Sequence, residues 1–310
     1  MIKAITSLPA NFIFHMMSVS ECGYHNAYGE KARKYHSAHD IEALQKRASL
    51  LTASGGQHCG ALFNLCVSIS AAFDLEEEML RYFSAMRDLV INPDRNQNFV
   101  EYQDIYHTVF APFGAKITPE AHADFYRSLS DVADDVAEIF RVFEMNYPIY
   151  RDHFWASTEA MVSERCREVN KILYQMNLQA LWEKMLQTKY DHENFYVVLC
   201  NSIENGPQAI DISNTKDIFS ASTSVDSLVA LISHEFGIYL LIKILDGTEA
   251  FQDLSLYHQT EALAEFYNRK ILNRNHKWKW DEGIIRTYEE IYMKNPSITP
   301  RELFLSQMKK

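Results

Sequence analysis

The stretch Val225–Leu245, VDSLVALISHEFGIYLLIKIL, constrains this chain more than any other. It is the longest strongly apolar run, entered through Thr223 with Asp226 as a capping box (Ser224 is the alternative N-cap) and left through Asp246-Gly247. Val, Ile and Leu suit strands as well as helices, but strands rarely exceed about ten residues. Length therefore predicts one helix. Leu228, Leu231, Ile232, Glu235, Ile238, Tyr239 and Ile242 follow the helical period while the other faces are apolar too, so the helix is expected to be buried nearly all round. Asp226, His234, Glu235 and Lys243 argue against a lipid-spanning segment.

An imidazole and a carboxylate inside such a helix need partners, because an uncompensated buried charge is strongly unfavourable. The motif HEFGI, 234–238, departs by one residue from HExxH. In HExxH two histidines at i and i+4 reach a zinc ion from one helical face, and the intervening glutamate takes a proton from the metal-bound water. His234 and Glu235 match the first two roles. Ile238 stands at the second histidine position and cannot coordinate.

Charge and cysteine usage narrow the setting. The formal charge of −11 disfavours nonspecific nucleic-acid binding and offers no polybasic membrane patch. Five widely spaced cysteines (Cys22, Cys59, Cys66, Cys166, Cys200) form no C-x-x-C pair and suit a reducing, cytoplasmic compartment. The amino-terminal stretch is broken by Pro9, Asn11 and His15 and lacks a small-x-small site, so no cleavable leader is expected there.

Ahead of the organising run the chain reads as helical. Cys22, His25, His36 and His39 lack the paired spacing of a zinc finger and are read as surface and turn residues. A short helix is expected over Asp40 to Leu51, then a glycine-rich loop at SGGQHCG, 54–60, where adjacent His58 and Cys59 make a poor catalytic pair. An amphipathic helix follows from Leu75 to Val90, with Leu75, Met79, Phe83, Met86 and Val90 on one stripe. Tyr102 to Phe110 is a short helix or turn, and Thr118-Pro119 opens a helix continuing to Phe143. Asn146-Tyr147-Pro148 is expected to interrupt the helices before another spans Phe154 to Lys189 with one break. Then FYVVLC, 195–200, reads as a strand, followed by extended pieces at 209–213 and 217–221. After the organising run, helices are expected at 260–272, 281–293 and 300–308.

The order strand, helix with His234-Glu235, then a second helix containing EALAEF resembles the gluzincin group of zincin metallopeptidases, over roughly Phe195 to Leu272. The resemblance implies that Glu261 is a metal ligand beside His234, that Glu265 supports it, and that Glu235 is the catalytic base. The fold expected is α+β and mostly helical: a helical amino-terminal region, 1–190, and a zincin-like carboxy-terminal region, 191–310, with a small sheet and an active-site-type helix. Two functions follow. One is an inactive metallopeptidase-like protein that binds a peptide or protein, with no metal at full occupancy because Ile238 removes a ligand. The other is a zinc-dependent peptidase or hydrolase with a variant site, drawing a replacement ligand from His258 or His276 and an oxyanion donor from Tyr257, His258 or Tyr267. Neither reading calls for nucleic acid or membrane as a partner.

Overall fold

The computed structural model describes residues 1–52, 62–91, 119–204, 209–213, 215–245, 254–274 and 281–307. The glycine-rich loop with His58 and Cys59, the segment 102–110 and His276 lie outside the described residues. The fold is α+β and mostly helical, with one small mixed sheet. The chain divides into two compact units, one of residues 4–167 with 196–222 and one of 1–3, 168–195 and 223–310.

The first unit opens with strand β1, Ile2–Ile5, which straddles the division, and helix α1, Leu8–Val19. Ser7 caps α1 by accepting the amide of Ala10, and Pro9 sits in its first turn, where a missing N–H costs nothing. Helices α2 (Ala27–Ala32), α3 (Ala38–Gln45), α4 (Ala48–Leu51), α5 (Ile69–Ala72), α6 (Glu76–Ile91), α7 (Pro119–Asp131) and α8 (Ala133–Tyr150) follow. A π-helical turn, Arg151–Trp155, joins α8 to α9, Ala156–Met176, which crosses the division after residue 167. Rings fill the core: Phe12 meets Phe143 and Tyr147 edge-on, and Phe83 packs on Phe140. Met79, Phe83 and Met86 of α6 are buried as the stripe requires, whereas Leu75 precedes the helix and is exposed.

Three strands complete this unit: β2 (Phe195–Cys200), β3 (Ala209–Ser213) and β4 (Lys216–Ser220), in the sheet order β1-β2-β4-β3. β2 runs parallel to β4, with Val198 opposite Ile218, and β3 runs antiparallel to β4. Five of the six β2 residues are buried, which fits an unbroken apolar run in an inner strand.

Two expectations need correction here. Asn146-Tyr147-Pro148 does not end a helix: α8 runs through it to Tyr150, with Pro148 inside. Buried Asn146 and Tyr147 anchor that turn, and tertiary packing outweighs the amide that Pro148 lacks. Neither His36 nor Cys22 is a surface residue: His36 is 8% exposed and bonded to His15, and Cys22 is fully buried in the core.

The second unit is helical. It comprises α10 (Leu178–Leu186), α11 (Val225–Leu245), α12 (Leu254–Leu272), α13 (Glu282–Lys294) and α14 (Pro300–Leu305). Asn177 adopts φ 51°, the left-handed conformation that separates α9 from α10. α11 covers the whole apolar run as one helix. Its N-cap is Ser224, whose Oγ accepts the Ser227 amide at 3.3 Å, rather than the Thr223–Asp226 box. Among the described residues α11 alone is long and apolar enough to cross a membrane, yet 67% of its most apolar window is buried within the protein. Its apolar faces are thus satisfied by protein.

Candidate functional site

The site grows from the middle turns of α11. Trp182 of α10 is fully buried and donates its indole N–H to Ser233 Oγ at 2.9 Å. The same ring lies against Gly237, where a Cβ would overlap it. A glycine inside a helix costs about 1 kcal/mol relative to alanine, and here it admits the tryptophan. Phe236 packs edge-on against Phe195 and Tyr190, so the turns around residue 234 are held from two sides.

His234 is fully buried between two carboxylates of α12. Glu261 and Glu265 are four residues apart and therefore share one helical face. His234 Nε2 lies 2.9 Å from Glu261 Oε2, and Nδ1 lies 3.5 Å from Glu265 Oε2. Glu265 is itself 0% exposed and accepts from Arg269 Nε at 2.8 Å and from Asn268 Nδ2 at 3.3 Å. Asn268 Nδ2 also bonds the carbonyl of Ala230, fixing α12 to α11. Arg269 gives both terminal nitrogens to Glu282 of α13, at 2.6 and 3.1 Å. That bidentate pair is the strong form of a guanidinium–carboxylate contact. Charge alternates along the whole chain from Glu261 through His234, Glu265 and Arg269 to Glu282.

These contacts set the protonation states. Burial works against a charged His234, but hydrogen bonds to Glu261 and Glu265, together with the nearby charge of Glu235, overcome it and push the ring up to about 9. Burial likewise opposes ionisation of Glu265, and its bonds to His234 and Arg269 hold it below the usual carboxylate range. His234 is accordingly an imidazolium at neutral pH, with both ring nitrogens protonated and directed at carboxylates.

Among the described residues the donors that converge here number two. The two atoms that converge are His234 Nε2 and Glu261 Oε2, while Glu265 lies across the ring on Nδ1 and cannot join them. Ile238, one turn beyond His234, is 8% exposed and places hydrocarbon where HExxH has its second imidazole. Zinc sites ordinarily take at least three protein donors. Among the described residues no group of three or more His, Cys, Asp and Glu side chains is placed to hold a metal ion.

Of the other expected residues, Glu235 is half-buried beside His234, His258 is exposed, and Tyr267 is buried against Phe266 at 4.9 Å between ring centroids. Arg269, Asn268 and Glu282 were not foreseen. The signal for Arg269 was the spacing Glu261, Glu265, Arg269, a ladder at i, i+4 and i+8 along one helix. Arg269 also helps line a cleft of about 500 Å³, with Phe266, Lys270, Asn273, Arg274, Glu289 and Met293. Lys270 Nζ stands over the rings of Tyr292 and Phe266, at 4.3 and 5.1 Å from their centroids. A scan against protein-family models finds no match for the chain, and searches of the curated proteins and of the solved structures find none either.

Proposed function

We propose that this chain is a zincin-like scaffold in which a buried ion pair has taken the place of a metal, and that it binds a peptide or protein without hydrolysing it. The observation that carries this reading is His234 Nε2 at 2.9 Å from Glu261 Oε2, with Ile238 filling the next turn. A proton bridges the two groups that a gluzincin would offer to zinc, and the remaining corner is hydrocarbon. The adjoining cleft, with its cationic and aromatic lining, has the size of a small-ligand or side-chain pocket. The reducing-compartment reading fits the four described cysteines, which are buried and outside any disulfide. Cytoplasmic location, and partners other than nucleic acid or membrane, belong to this proposal.

A second reading, a zinc hydrolase with His234 and Glu261 as ligands and Glu235 as base, draws on one feature. Glu265 backs Nδ1 of His234 as an outer carboxylate backs a metal-bound histidine. It still requires a donor at the corner that Ile238 fills.

The test is incubation of the purified chain with a mixed peptide pool, with and without added zinc, beside Glu235→Gln. The proposal expects equal, background cleavage in both proteins and saturable retention of some peptides. Zinc-dependent cleavage lost in Glu235→Gln would overturn it.

A further inference from the structure

The first unit holds a second buried histidine network, unrelated to the site above. His15 of α1 is 0% exposed, and its Nε2 lies 2.8 Å from Nε2 of His36. Its Nδ1 lies 2.6 Å from the hydroxyl of Tyr28 on α2. His36 Nδ1 lies 2.8 Å from Asn146 Oδ1 on α8. Asn146 Nδ2 donates to the carbonyl of Val142 and to Asp40 Oδ2 of α3, and Asp40 Oδ1 accepts from Arg141. Tyr150 and Phe154 close over His15, with ring centroids at 4.7 and 4.6 Å.

Hydrogen-bond accounting fixes the direction of this chain. The amide nitrogen of Asn146 is spent on two acceptors, so its oxygen faces His36 and can only accept. His36 therefore carries hydrogen on Nδ1, and when neutral its Nε2 accepts from His15. A neutral His15 then donates through Nε2 and accepts the Tyr28 hydroxyl at Nδ1. One added proton is accommodated on His15 Nδ1 if the hydroxyl of Tyr28 turns away. A second is not. With both rings charged, two N–H groups face each other across 2.8 Å.

We propose that the His15–His36 contact is an acid-sensitive latch: it holds α2 and α3 against α1 and α8 while at most one of the two rings is protonated, and opens when both are. His36 belongs to the short segment between α2 and α3 and is slightly less buried than His15, 8% against 0% exposed, so it is the ring that leaves.

The surroundings support this asymmetry. Burial and the neighbouring His36 keep His15 well below the ordinary imidazole value. His36 is lowered chiefly by burial, with a smaller push from His153, against the opposing pull of Asn146 and Asp40. The charged and titratable groups facing the pair are Tyr28 from α2, Asp40 with its neighbour His39 from α3, Glu138, Arg141 and Tyr150 from α8, and His153 from the π-turn. Arg141 bonds both Asp40 and Glu138, so the acidic end of the network stays ionised well below the imidazole range.

Hydrogen exchange with imidazole nitrogen NMR across pH 4–8 tests the latch on the full chain. The closed pair holds at most one proton and the open pair two, so opening takes up one or two protons and lowers the protection of amides 41–46 by about 10- to 100-fold per pH unit below the ordinary imidazole value. The proposal expects that loss, the last ring proton taken up together with it, and retained protection in Ala133–Tyr150. In His15→Gln, whose amide oxygen can accept from a charged His36, that pH-dependent loss should largely disappear. Two charged rings beneath a still-protected α3, or protection that holds until the whole unit unfolds, would overturn it. An unchanged slope in His15→Gln would do so as well. If that variant does not fold, the wild-type titration decides alone.

Discussion

Nε2 of His234 lies 2.9 Å from Oε2 of Glu261, and the next turn of the same helix presents isoleucine at 238. The pair joins α11 to α12, and Glu265, Arg269 and Glu282 extend the alternation of charge to α13. Every charge in this line is neutralised by a neighbour, which is the condition for keeping ions in a core.

Removing one member should expose that dependence. Glu265→Ala leaves His234 and Arg269 without their shared carboxylate at a fully buried position. Breaking a buried pair from one side costs about 3–5 kcal/mol. Urea unfolding of the two proteins measures the difference, and a loss below about 1 kcal/mol would mean that the network adds little.

The same network predicts a pH profile. His234 is raised in the folded chain from 6.5 to about 9, so the folded protein holds more protons than the unfolded between those values. Its contribution is complete below 6.5 and is lost as pH rises through about 9. Glu265 is lowered from 4.5, so its contribution is present above that value and drains as pH falls. Unfolding midpoints from pH 4 to 10 should therefore decline on the alkaline side. Glu261→Gln, which keeps an acceptor but not the charge, should flatten that decline.

Gly237→Ala probes the seat of Trp182. The added methyl meets the indole ring directly, and overpacking of this kind typically costs about 1–3 kcal/mol. Because alanine otherwise favours helix, an unchanged or raised thermal midpoint would show that the ring moves freely.

Much of this was legible before any coordinates. The bounds of α11 and of β2 follow from apolar run length and from the turn and cap residues around them. The approach of Glu261 to His234 was legible because EALAEF resembles a known arrangement, which also put Glu265 in a supporting position. The path of α8 through Pro148 was not, since local propensity argues for a break and the burial of Tyr147 and of Asn146, held by His36 and Asp40, outweighs it. The His15–His36 pair was invisible for the same reason: its partners Tyr28, Asp40 and Asn146 come from three separate helices, and no spacing rule joins them.

Position 238 separates the two proposed readings. Residue 238 follows His234 by one turn on the same face, so Ile238→His would complete a third donor beside His234 and Glu261. The introduced imidazole should cost about 1–3 kcal/mol without metal, partly recovered when metal binds. The decisive measurement is metal content with zinc titration calorimetry on wild type, Ile238→His and Ile238→His with Glu261→Ala. The account predicts weak or no zinc in the wild type, a gain of at least about 100-fold in Ile238→His, and loss of that gain in the double variant. Stoichiometric, tight zinc in the wild type would contradict it.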